Sequence, residues 1–142
     1  MKKDPRHRAR EAALQILYQW EITGRDVERT AETFFGHQWS DPGEPPEDLR
    51  LFATRLAYDT VERLDHIDPL IADTSARWRP ERMAVLDRLI LRMAVCELMD
   101  AAASGPPPAV VINEALELAR TFTTEESVKF INGMLDAIRK KI

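Results

Sequence analysis

Apolar positions recur along this chain at steps of three and four, the period of an α-helix that buries one side, and no run keeps the two-residue period of a strand. The first such pattern predicts a helix from Arg6 to about Thr23, with Ala9, Ala13, Ile16, Leu17 and Trp20 inward, Pro5 at its start and Gly24 as its stop. A second helix is expected from Val27 to about Trp39, turning Val27, Ala31, Phe34 and Phe35 inward. The segment Asp41-Pro42-Gly43-Glu44-Pro45-Pro46 then reads as a loop. Helix three is expected from Glu47 to Leu64 on Leu49, Phe52, Ala53, Leu56, Thr60 and Leu64. Asp68-Pro69 has the form of an N-cap and first helical residue, which predicts a short fourth helix ending near Trp78. Pro80 then starts helix five, whose face of Met83, Leu86, Leu89, Ile90, Met93, Ala94 and Leu98 is too broad for one neighbour to cover. It is expected at the centre of a C-terminal bundle.

The most regular stretch is Ala109 to Ile142, which follows the breaker Gly105-Pro106-Pro107-Pro108. Ile112, Ala115, Leu116, Ala119 and Phe122 form the stripe of helix six, widened by Val111 and Leu118. Val128, Ile131, Met134, Leu135 and Ile138 form that of helix seven. Thr123 stands three residues before Glu126, the spacing of a capping box, so the second helix is expected to begin there. The predicted class is therefore all-α, about seven helices in one domain over residues 1–142, with two small bundles at about 5–64 and 68–140. Leu86, Ile90, Met93, Leu116, Ile131 and Leu135 are the expected C-terminal core. Asn113 and Asn132 interrupt the stripes, and two readings stand open for them: amides that satisfy backbone groups, or amides that recognise a ligand.

Composition narrows the function classes. The chain has 142 residues, 44% of them apolar, which suits one globular domain with a real core. Its apolar runs fall short of the roughly 18 to 20 residues that span a bilayer, and charged residues stand where a signal peptide would be apolar, so a cytoplasmic, non-membrane protein is expected. Cys96 is the single cysteine, which excludes an intrachain disulfide and any multi-thiolate metal site. His7, His37 and His66 lie in unrelated segments without ligand spacing, and no glycine-rich phosphate loop occurs. The acidic pairs Glu114 with Glu117 and Asp59 with Glu62 are of the kind that solvated helix faces carry. No enzyme, metal or cofactor is expected.

Charge is uneven. The net value is −4, yet Lys2, Lys3, Arg6, Arg8 and Arg10 against Asp4 make the first ten residues +4 and leave −8 for the rest. Cations at a helix N-terminus oppose the macrodipole by about 0.3 to 1 kcal/mol each, so intrinsic helix stability does not select them there. The arm is a candidate for phosphate. Tyr18, one turn from Gln15 and off the main stripe, is a candidate contact residue.

Several of these stretches, taken in order, carry a resemblance. VINEALELAR, a phenylalanine, a short gap and KFINGMLD, with Arg8-Ala9-Arg10-Glu11, Ala13-Leu14-Gln15 and Leu17-Tyr18 upstream and Leu86-Asp87-Arg88 through Ile90-Leu91-Arg92 to Glu97-Leu98 between, resemble the NusB family of transcription antitermination factors. The likeness spans almost the whole chain and is weakest from Arg25 to Pro46. It implies a non-enzymatic factor that pairs with ribosomal protein S10 and recognises boxA-type single-stranded RNA in nascent ribosomal RNA transcripts, within the antitermination complex with RNA polymerase. It further implies RNA contacts by Lys2, Lys3, Arg6, His7, Arg8 and Arg10, with His7 standing where the family often has arginine. Phe122, Glu126, Lys129 and Phe130 are implied near helix seven, and Tyr18 and Asp87 toward S10. Thr123 departs from the family's usual glycine. The resemblance leaves monomer and homodimer open. Two other readings stand beside it: an RNA-binding module of a ribosomal RNA methyltransferase system, and a purely protein-binding helical adaptor.

Overall fold

The computed structural model describes residues 4–75, 83–101 and 105–142. Among them it is all-α: α1 (Pro5–Thr23), α2 (Val27–Thr33) continued by a π-helical turn (Phe34–Gln38), α3 (Glu47–Glu62), α4 (Leu64–Thr74), α5 (Val85–Ala101), α6 (Pro108–Phe122) and α7 (Glu125–Arg139). The chain divides into two compact units, Met1–Val61 and Glu62–Ile142. No helix among the described residues is long and apolar enough to cross a membrane.

In the first unit, Asp4 caps α1 by accepting from the backbone N–H groups of Arg6 (2.8 Å) and His7 (3.4 Å), with Pro5 in the first helical position, where a missing N–H costs nothing. Gly24 ends it in the left-handed region at φ 70°, donating its N–H to the Trp20 carbonyl. Ala9, Ala13, Ile16 and Leu17 are buried as predicted, while Trp20 is only half-buried and Ala12 and Leu14 join the buried set. The second helix carries Val27, Ala31, Phe34 and Phe35 inward as expected. Its last turn is π-helical, and Phe34 and Phe35 meet edge to face, centroids 5.1 Å apart. Gln19 of α1 and Gln38 pair through their side-chain amides.

The second unit corrects one boundary. Helix three stops at Glu62, and α4 begins at Leu64 with Arg63 as its cap, so Asp68-Pro69 lies inside a helix rather than at its start. Pro69 gives up one intrahelical bond there, and the helix continues around it on buried Ile67 and Ile71. Asp68 is engaged elsewhere: its carboxylate takes Arg92 Nε and NH2, both at 2.9 Å. The expected helix end near Trp78 lies outside the described residues, and the helix expected from Pro80 begins only at Val85, after the non-helical Met83 and Ala84.

Helix α5 packs against α4, α6 and α7, the central position its broad apolar face predicts. Every residue from Arg88 to Leu98 is buried, Arg88, Arg92 and Glu97 included. Pro108 opens α6 as expected, but its most buried residues are Val111, Ala115, Leu118 and Ala119, with Ile112 and Leu116 only half-covered. Ile131, Met134, Leu135 and Ile138 are buried on α7. The cap of α7 is Thr124, not Thr123: Thr124 Oγ1 accepts from the Ser127 N–H at 3.1 Å. Thr123 instead closes α6, its hydroxyl donating to the Ala119 carbonyl at 2.6 Å.

Candidate nucleic-acid interface

The cap at Asp4 fixes where the arginines of α1 point. Arg6 and Arg10, one turn apart, share a side, and both guanidinium groups lie over the ring of Phe52 on α3, at 4.1 and 5.3 Å from its centroid. Their exposures differ sharply, since Arg6 is exposed and Arg10 is 5% accessible. Arg8, two residues from each, faces another way and lies 4.6 Å over the ring of Trp39. Its Nε donates to Asp41 Oδ2 at 2.9 Å and its NH2 to Oδ1 at 3.3 Å. Glu11, buried beneath, has carboxylate oxygens 3.6 Å from His7 Nε2 and 3.7 Å from Arg8 NH1.

The free cationic arm expected from the sequence is therefore partly folded in. Lys2 and Lys3 lie outside the described residues, Arg6 and His7 face solvent in whole or part, and Arg8 and Arg10 are held by aromatic and acidic groups. Trp39, Asp41 and Phe52 escaped the sequence reading of this surface. Phe52 fitted the core stripe of helix three, and nothing local ties position 41 to position 8.

In the second unit, Glu126, Lys129 and Phe130 recur at three and four on the side of α7 opposite Ile131 and Leu135, and all three are exposed. Gly133 continues that face with open space around its Cα. Phe122, the last residue of α6, is 36% accessible and Phe130 39%, large aromatic surfaces for solvent-facing positions. Asn113 and Asn132 are both exposed.

The two residues expected toward a protein partner fall in different units. Tyr18 on α1 is 41% accessible, and Ile22 one turn on is more exposed still. Asp87, in the first turn of α5, is half-buried and accepts from the Ser127 hydroxyl at 2.8 Å. Among the described residues, no group of three or more His, Cys, Asp or Glu is placed to hold a metal ion.

The fold is that of an all-α protein, with guanidinium groups laid on aromatic rings in one helical unit and an exposed Lys-Phe helix face in the other. A model of the NusB family matches residues 7–140. The transcription antitermination protein NusB of Solibacter usitatus is 44% identical over 137 residues, covering 96% of this chain and 90% of its own. That of Koribacter versatilis is 39% identical over 142 residues, covering 100% and 93%. Among solved structures, T. maritima NusB superposes with a TM-score of 0.82 at 34% identity, covering 99% of this chain and 94% of the other. A chain of the crystal structure of antitermination factors NusB and NusE in complex with dsRNA superposes with a TM-score of 0.80 at 25% identity, covering 97% and 98%. The chain belongs to the NusB family.

Proposed function

We propose that the chain acts as an RNA-binding transcription antitermination factor. Paired with ribosomal protein S10, it recognises boxA-type single-stranded RNA in nascent ribosomal RNA transcripts, within the antitermination complex on RNA polymerase in the cytoplasm. The observation that carries this reading is the likeness, over 97% of the chain, to a structure of NusB and NusE, the S10 protein, in complex with dsRNA. The role is one of binding rather than catalysis.

The residues support a division of labour. Arg6, His7 and Arg8, with Lys2 and Lys3, meet phosphates, and Arg10 backs Arg6 at the shared Phe52 ring. Phe122 and Phe130 offer faces for unpaired bases, flanked by Glu126 and Lys129, since stacking is how proteins commonly hold single strands. Tyr18 and Asp87 serve the S10 contact.

A titration of boxA-like and scrambled RNA, each with and without S10, tests the proposal. The boxA-like strand should bind tighter than the scrambled one, and S10 should widen the gap. Equal affinity for the two RNAs in the presence of S10 would overturn it.

A further inference from the structure

Arg8 presents its Nε and NH2 edge to both oxygens of Asp41, a two-point contact that a guanidinium makes as readily with phosphate as with carboxylate. The pair is lodged rather than incidental. Its side chains are 12% and 41% accessible, so Asp41 is the solvent-side partner and Arg8 the enclosed one. The loop that delivers Asp41 is itself anchored: the Trp39 ring lies under the Arg8 guanidinium, and Trp39 Nε1 donates to the Gly43 carbonyl at 3.2 Å. Gly43 holds φ 79°, a backbone conformation that other residues resist.

We infer that Asp41 is an internal stand-in for phosphate. It occupies the phosphate-binding edge of Arg8 in the free protein and limits how tightly the basic end of α1 holds polyanion. The inference rests on the RNA-binding reading above and adds to it a residue that sets affinity without touching RNA. Two other features would let the exchange occur without unfolding. Asp41 sits on a loop, outside any helix, and the Trp39 ring stays beneath Arg8 whichever anion lies at its edge.

Asp41→Asn keeps an oxygen for the Arg8 Nε–H and removes the competing charge. With S10 present, the variant should bind boxA-like and scrambled RNA more tightly by similar factors, roughly threefold to fivefold, the worth of one partly exposed ion pair. Its slope of log affinity against log salt should steepen by about 0.7, one added phosphate contact on a single strand. Arg8→Ala placed in the Asp41→Asn background should abolish both gains. Three results overturn the inference: an unchanged slope in Asp41→Asn, weaker RNA binding by that variant, or a gain that survives loss of Arg8. Weaker binding with a lowered thermal midpoint would make Asp41 a pin for the loop. Wild type that binds neither RNA removes the antitermination reading and this inference together, whereas wild type that discriminates boxA while Asp41→Asn changes nothing removes this inference alone.

Discussion

The Ser127 hydroxyl donates to Asp87 Oδ2 at 2.8 Å, so one hydrogen bond joins the first turn of α5 to the first turn of α7. Ser127 is doubly engaged, because its backbone N–H is the one that Thr124 caps. The other carboxylate oxygen, Asp87 Oδ1, is buried and has no hydrogen-bond partner among the described residues. The serine is therefore the group that offsets the desolvation of this acid. Ser127→Ala should cost about 1 to 3 kcal/mol, the penalty of a carboxylate left without its donor. Urea unfolding measures it, and the double-mutant cycle with Asp87→Ala locates it. In the Asp87→Ala background the serine substitution should cost almost nothing. Additive losses would assign the effect instead to the 3.3 Å bond that the Thr124 hydroxyl donates to Ser127 Oγ, which alanine also removes.

Leu118 and Leu116 should separate by stability. Leu118 is 1% accessible, and Leu116 is half-covered although it fell in the middle of the sequence stripe. Leu118→Ala should cost about 2 to 5 kcal/mol, as deletion of a fully buried leucine does, and Leu116→Ala less than half of that. Equal losses in chemical denaturation would show that both leucines are core.

These two leucines mark where the sequence was legible and where it was not. The 3.6-residue period placed α1, α2, α6 and α7 to within a few residues, because each buries one side and its caps are local. Period alone could not choose between Val111 with Leu118 and Ile112 with Leu116, which lie on adjoining sectors of one helix. That choice belongs to the packing of α6 on α5 and α7. Local chemistry also misled at Asp68-Pro69. The dipeptide has the form of a helix start, but Arg92 claims the aspartate 24 residues away and the helix is already under way. At Thr123 and Thr124 two adjacent hydroxyls could each cap, and backbone geometry selected the second. The basic surface was legible as charge and illegible as contact. Arg8 with Asp41 and Arg6 with Phe52 are tertiary pairs that no spacing rule reaches.

Tyr18→Asp should abolish S10 pairing while the thermal midpoint stays nearly unchanged. The ring is 41% accessible, so replacing it removes contact surface without opening a core cavity, and substitutions at such sites usually stay within about 0.5 kcal/mol. Co-purification with S10 and a melting curve on the same sample decide the matter. A variant that unfolds would make Tyr18 a packing residue and withdraw its support from the partner reading.

Arg6 and Arg10 share one phenyl ring and should nevertheless play different parts. Arg6 is exposed and can turn from Phe52 to a phosphate, whereas Arg10 is 5% accessible and its guanidinium is closed to a ligand of that size. With S10 and boxA-like RNA, Arg6→Ala should flatten the salt slope by about 0.7, one phosphate contact on a single strand, and weaken boxA-like and scrambled RNA alike. It should leave the unfolding midpoint almost where it was, because the ring contact of an exposed cation contributes only about 0.5 to 1 kcal/mol. Arg10→Ala should do the reverse, losing a buried stem and a more enclosed ring contact at a cost of about 1 to 2 kcal/mol while the slope holds. Arg10→Met makes the separation sharp, since it keeps most of the stem and removes the charge. Its slope should equal that of wild type. A slope flattened by the same 0.7 in Arg10→Met would mean that Arg10 leaves Phe52 when RNA arrives, and that the whole run of three arginines meets phosphate in the complex.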